Sequence, residues 1–122
     1  MIVAGFGFRR SATLASLRDA FERAADGHAV EALCAPQDKI GSEGLLALAE
    51  VLNLPLRAVT AAIVAKTATA TQSAEVLTRR GTGSVAEATA LAGAGRGARL
   101  LSKRRISADR CAACAIAIGG LE

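Results

Sequence analysis

Residues 1–14 read MIVAGFGFRRSATL: an apolar run, two glycines, two arginines with a serine, and then the first leucine of a helical pattern. A short apolar run closed by a glycine-containing turn is the pattern of a buried strand, so Met1 to Phe8 is expected as the first strand. Leu14, Leu17, Phe21 and Ala24 then recur at helical spacing, with Arg18, Asp19, Glu22 and Arg23 on the other face. Asp26-Gly27 supplies the stop. A strand that passes directly into a helix is the first half of a strand–helix–strand unit, and the rest of the chain decides whether that unit repeats.

It does. His28 to Ala35 reads as a second strand closed by Pro36, and Ser42 caps a second helix with Leu45, Leu48, Ala49 and Leu52 inward, ended by Asn53 and Pro55. Leu56 to Thr60 is a third strand. The stretch AAIVAKTATATQS (61–73) opens as a helical turn and continues from Lys66 to Ser73 as a Thr-rich loop, followed by a short helix from Ser73 to Arg80. Ser84-Val85-Ala86-Glu87 matches the S-x-x-E capping box, and Val85, Ala88, Leu91 and Ala92 follow at helical spacing. Gly95 to Leu101 and Cys111 to Ile118 are the fourth and fifth strands.

This alternation predicts an α/β fold, a three-layer α/β/α sandwich with helices on both faces of a five-stranded sheet. The link from Ser102 to Arg110 is too short for a helical crossover, so the last strand is expected to run antiparallel, making the sheet mixed but mostly parallel. The 122 residues form one domain, 1–122.

Composition narrows the function. Apolar residues make up 52% of the chain and aromatics 2%, so the core depends on close approach of small side chains. No run reaches the ~20 apolar residues of a membrane span, and the N-terminal charges follow the apolar run instead of preceding it, unlike a signal peptide. A cytosolic protein without a membrane role is expected. Fifteen Lys and Arg against 11 Asp and Glu leave a net charge of +4, which suits an acidic ligand. With no Trp or Tyr to stack on bases, and Lys103-Arg104-Arg105 as the one basic run, nucleic acid is not expected as a partner.

Cys111-x-x-Cys114 spells a redox or half-zinc motif, but it lies in an expected strand with no helix to lower a thiol pKa. No second pair or His cluster completes a metal site. These thiols and Cys34 read as small buried hydrophobes, and no metal or cofactor is expected.

In open α/β sheets ligands sit beyond the carboxyl ends of the strands. That rule selects the loop Gly5-Phe6-Gly7-Phe8-Arg9-Arg10-Ser11 after strand one, and Ala35 to Gly44, with Asp38, Lys39 and Glu43, after strand two. The turn Thr82-Gly83-Ser84 joins the same end. Glycines admit backbone approach, arginines bring cationic forks, and helix N-termini favour anions. Each residue also has a plain reading: Arg9 and Arg10 as solvated charges, Asp38 and Lys39 as an exposed turn, Ser84 and Glu87 as a cap. The first loop lacks the third glycine of a dinucleotide fingerprint, and Gly93 to Gly97 (GAGRG) follows a helix and precedes a strand, the place of a helix-ending turn. His28, the one histidine, has no partner in sequence. From chemistry alone the chain is an anion-binding α/β domain.

The segments GFGFRRSAT, APQDKIGSEGLLALAEVLNLPL and GTGSVAEATAL, in this order and spacing, resemble the CobE/CbiG C-terminal-domain family of cobalamin biosynthesis. The resemblance covers essentially the whole chain. It implies a three-layer α/β/α domain with a mixed five-stranded sheet and a place in the corrin pathway, near ring contraction or deacylation. Proteins like CbiG open a ring lactone and release acetaldehyde; this chain has only the C-terminal portion and looks like the stand-alone CobE of the oxygen-dependent route. The implied ligand is a precorrin, a flat tetrapyrrole bearing many carboxylates. Arg9, Arg10, Ser11 and Lys39 are the expected carboxylate binders, with Ser84 beside them and Gly5, Gly7 and Gly83 allowing backbone approach. Asp38 and Glu43, or Glu87, are the candidates for acid–base work if the chain is catalytic. Two alternatives stand beside this expectation: a non-catalytic module that docks on another enzyme of the pathway, and a stand-alone hydrolase or lyase of the lactone-opening type.

Overall fold

The computed structural model describes residues 1–60, 82–95 and 97–119. The elements are β1 (Ile2–Phe8), α1 (Leu14–Ala25), β2 (Ala32–Pro36), a 3-10 turn (Gln37–Lys39), α2 (Glu43–Leu52), β3 (Leu56–Val59), α3 (Thr82–Ala94), β4 (Arg99–Ile106) and β5 (Ala112–Ile118). The Thr-rich loop and the short helix expected over 73–80 lie outside the described residues.

The sheet order is β3-β2-β1-β5-β4. β1, β2 and β3 are parallel neighbours, while β5 runs antiparallel to both β1 and β4. The expected antiparallel last strand is therefore present, and it lies inside the sheet, where six of its seven residues are buried. Four of the five strands point the same way, so the sheet is mixed and mostly parallel.

Side chains alternate across a strand, so β1 and β5 feed two cores. Ala4, Phe6 and Phe8 with Cys114 and Ile116 pack against Leu17 and Ala20 of α1 and Leu45 and Leu48 of α2. On the opposite face, Ala113, Ala115 and Ala117 meet Ala86 and Ala90 of α3, while Val3, Ala32 and Cys34 adjoin its C-terminal end. Helices thus cover both faces.

Caps fix where the first two helices start. Thr13 accepts from the Ser16 N–H and Ser16 Oγ accepts from the Thr13 N–H, both at 3.2 Å, a reciprocal box built with serine where glutamate is usual. Ser42 Oγ accepts from the Leu45 N–H at 3.4 Å, as expected. Asp26 and Asn53 close α1 and α2 in left-handed conformations, with φ of 35° and 57°.

Three boundaries differ from expectation. β2 begins at Ala32, so residues 28–31 are outside it. β4 runs from Arg99 to Ile106 instead of Gly95 to Leu101, and the Ser102–Arg110 link shrinks to the hairpin loop 107–111. Gly95 (φ 95°) and Gly97 (φ 70°) form the turn that ends α3 and delays the strand. Finally, α3 starts at Thr82, so Ser84 lies inside the helix and is not its N-cap. Glu87 accepts from the Arg104 N–H at 3.1 Å, which ties α3 to β4.

No described helix is long and apolar enough to cross a membrane.

Candidate functional site

The carboxyl ends of β1 and β2 open into a cleft of about 740 Å³ lined by Phe8, Arg10, Ala12, Thr13, Leu14, Asp38, Lys39, Ser42, Glu43, Gly44 and Ala47. Its walls are the starts of two helices. The turn 9–12, closed by the Ala12 N–H to the Arg9 carbonyl at 3.0 Å, delivers Arg10 and leads into α1. The 3-10 turn delivers Asp38 and Lys39 and leads into α2. Gly44 allows these two helix starts to abut, since a Cβ there would meet Leu14 N at 3.1 Å and Leu17 Cδ1 at 3.2 Å. Both N-termini carry partial positive charge toward the same space.

Lys39 is fixed in the cleft. Its ammonium donates to the Phe8 carbonyl at 3.0 Å, an acceptor at the end of β1, and sits 5.2 Å from the Phe8 ring centroid. One of its three hydrogens is thereby used and two remain for a ligand. Arg10 is exposed at the rim and has no ion pair among the described residues. Two acids, Asp38 and Glu43, share the cleft with these two cations, so it is mixed in charge.

The sequence-predicted residues therefore separate. Arg10, Asp38, Lys39 and Glu43 come together in one cleft. Arg9 and Ser11 lie on the same turn but face β5: the Arg9 N–H donates to the Cys111 carbonyl at 2.8 Å, and Ser11 Oγ is 3.8 Å from Cys111 Sγ. Gly5 and Gly7 lie within β1, on the face that α3 covers. A Cβ on Gly5 would overlap the Ala90 backbone, and one on Gly93 the Cys34 thiol. The close approach expected of Gly5 is thus made by a helix, which corrects the expectation of a ligand there. Because Ala86 and Ala90 face Gly5 while Gly93 faces Cys34 and Val3, α3 runs against β1. Its first turn, with Gly83 and Ser84, is consequently at the carboxyl edge too, but on the sheet face opposite the cleft.

A set of contacts not anticipated from sequence secures the cleft from behind. In the β4–β5 loop, Asp109 accepts from Ser107 Oγ and Ser16 Oγ, both at 2.5 Å, and from the Cys111 N–H at 3.0 Å. The bonds from Ser107, Ser16 and Cys111 hold its carboxyl down at about 2. Beside it, Asp19 accepts from the Ala108 N–H at 2.7 Å; that bond, then Arg23, lowers the Asp19 pKa. Ser16 belongs to the α1 capping box, so the hairpin is fastened to the helix start that forms one cleft wall. The signal that marks this clasp is the turn motif Ser107-x-Asp109, but its partner is 93 residues away in the chain.

The thiols are unlike one another. Burial pushes Cys34 up to about 11 and Cys114 well above its usual value, whereas Cys111 is half-buried. None forms a disulfide. No group of three or more His, Cys, Asp or Glu among the described residues is arranged to hold a metal.

Comparison with known proteins follows the same outline. Residues 2–118 match a family model described as cobalamin synthesis G C-terminus. The crystal structure of cobalamin biosynthesis protein chiG from Agrobacterium tumefaciens is 36% identical and superposes with a TM-score of 0.70, over 97% of this chain and 98% of that one. The structure of CobE, from the vitamin B12 biosynthetic pathway, is 32% identical with a TM-score of 0.75, over 96% of this chain and 89% of that one. A putative cobalamin biosynthesis protein G homolog from Sulfolobus solfataricus shares the fold at 19% identity and a TM-score of 0.71, with 95% of this chain covering 36% of that one. No curated protein sequence gives a significant match.

Proposed function

The chain belongs to the cobalamin synthesis G C-terminus family, and from that premise we propose that it acts in cobalamin biosynthesis by binding a precorrin-type tetrapyrrole polycarboxylate in the cleft between α1 and α2. The observation that carries this reading is the pairing of Arg10 with a fixed Lys39 in an open space of about 740 Å³. That size is within the range of small-molecule sites, and the opening lets part of a large flat ligand enter edge-on.

Arg10 offers a planar fork to one carboxylate and Lys39 a point charge to another. The N–H groups at the start of α2 lie beside them. Asp38 and Glu43 offset the cations, so the cleft is not a general anion trap: a ligand must also present N–H or O–H donors to the acids. A macrocycle that enters edge-on meets this demand through carboxylic arms on its outer edge, of which a protonated one donates its O–H. If the step is chemical, Asp38 and Glu43 are the groups placed to move a proton.

The test is a visible-absorbance titration of the purified protein with hydrogenobyrinic acid, for wild type and Arg10→Ala. The wild type binds saturably, and the variant binds about ten- to a hundredfold more weakly, the effect of one charge-assisted contact. A folded wild type that does not bind, or equal affinity in the variant, overturns the reading.

A further inference from the structure

Three non-glycine residues among those described have a left-handed backbone: Asp26, Asn53 and Arg110. The first two end helices and are of the types that tolerate this conformation. Arg110, at φ 63°, is different. It occupies a position of the β4–β5 hairpin loop that glycine ordinarily fills, and a long side chain there strains the backbone. The loop enforces the conformation: the Arg110 N–H donates to the Ser107 carbonyl and the Ser107 N–H to the Ala112 carbonyl, both at 2.9 Å, while Asp109 is fastened to α1.

The register explains what the strain achieves. β1 and β5 pair Phe8 with Ala112, and the Arg9 N–H continues the ladder to the Cys111 carbonyl at 2.8 Å. There the ladder ends: the Arg9 carbonyl accepts from the Ala12 N–H and the Cys111 N–H goes to Asp109, so Arg10 leaves the end of β1 in the 9–12 turn and Arg110 approaches the adjoining start of β5 in the hairpin loop. Arg9, Arg10 and Arg110 are all exposed, and the ion pairs among the described residues, Arg18–Glu22 and Arg23–Asp19, are both within α1. The nearest acid in sequence, Asp109, is occupied by two serine hydroxyls and the Cys111 N–H. Like charges gathered at adjoining strand ends repel one another unless something neutralises them.

We propose that Arg110 is a third anion-binding arginine, forming with Arg9 and Arg10 a basic rim beside the cleft that takes adjacent carboxylates of one polycarboxylate ligand. The identity of that ligand as a tetrapyrrole rests on the function proposed above; the rim itself rests on the adjoining ends of β1 and β5 and on the Arg110 backbone. Three planar forks in a row suit carboxylates spaced around a flat ring.

The experiment uses the full chain and two probes, uroporphyrin, an octacarboxylate macrocycle, and mellitate, a flat benzene hexacarboxylate, with Arg110→Gly and Arg110→Lys. Arg110→Gly removes the backbone strain, so it melts at or above the wild-type temperature yet binds both probes about five- to tenfold more weakly. Arg110→Lys keeps the charge without the fork and falls between. Unchanged affinity in Arg110→Gly overturns the rim while leaving the tetrapyrrole reading in place. Weaker binding accompanied by a lower melting temperature also overturns it, because the arginine would then be holding the loop. Arg110-dependent binding of mellitate without binding of uroporphyrin supports the rim and overturns the tetrapyrrole reading. Binding of neither probe by folded wild type overturns both.

Discussion

The two faces of the sheet solve the same packing problem with opposite materials. On the α1/α2 face the core is Phe6, Phe8, Leu17, Leu33, Leu45, Leu48 and Ile116. On the α3 face it is alanine against alanine, with Gly5 of β1 beneath the helix and Gly93 on the helix side that meets Cys34. Small side chains let α3 lie so close that its backbone touches the strand, which leaves no room for a ligand along its length. Large side chains hold α1 and α2 further out, and beyond Phe8 the space beside their touching starts is left open. The candidate cleft therefore lies on the bulky face because bulk creates a mouth there. Dispersion and burial stabilise both faces, but only one of them leaves polar groups facing an opening.

Equal additions on the two faces should have unequal effects, and the largest belongs to Gly5. Gly5→Ala puts a methyl group into the Ala86–Ala90 backbone, where no side chain can rotate away. Moving α3 off the sheet is the only relief, so the variant should lose about 3 kcal/mol in urea unfolding, the upper range of overpacking costs. A loss below about 1 kcal/mol would mean that α3 is not seated as closely as the alanine face requires.

Gly44→Ala is the matching change on the bulky face. The new methyl would contact Leu14 N at 3.1 Å and the movable end of Leu17 at 3.2 Å. Alanine gains up to about 1 kcal/mol over glycine within a helix, and crowding offsets it, so stability should stay within about 1 kcal/mol of wild type. The cleft should respond more than the fold does, because α1 and α2 must part slightly at their starts. A Gly44→Ala variant as unstable as Gly5→Ala would remove the distinction between the faces.

Those faces are partly legible in the sequence. β1, α1 and α2 carry strong periodic patterns with caps and stops, and each lies within a residue or two of its expected bounds. The carboxyl-end rule brought Arg10, Asp38, Lys39 and Glu43 forward because it needs only strand order. β4 was misplaced for a physical reason: RLLSKRRI is an edge strand with two register shifts and exposed cations, so it has neither an apolar run nor clean alternation. Gly5 was assigned to a ligand because a glycine shows that something approaches without showing what. Ser84 and Glu87 have the spacing of a cap, yet the carboxylate goes to the Arg104 N–H, a partner set by tertiary structure. Asp109 was missed for the same reason, its Ser16 partner being distant in the chain.

The smallest effect expected is that of the Asp109 clasp, which joins the bulky face to the hairpin from outside the core. Three hydrogen bonds favour its carboxylate, so its pKa falls from 3.8 to about 2 on folding. A depressed acid contributes stability that is present above its unfolded pKa and is lost as pH falls through the folded one. Asp109→Asn keeps the shape and one carbonyl acceptor but removes the charge. Its melting temperature should lie below wild type by a nearly constant margin between pH 5 and 7, smaller than the loss in Gly5→Ala. The margin should then shrink as pH falls from about 4 to about 2, where the wild-type carboxyl takes up its proton. Asp19, also depressed, feels the Asp109 charge, which raises it, so in the variant its own pKa moves slightly lower. A margin that stays constant down to pH 2 would show that the carboxylate charge does not fasten the hairpin, which would then be held to α1 by the Asp19–Ala108 bond and by the hydrogen bonds that asparagine keeps.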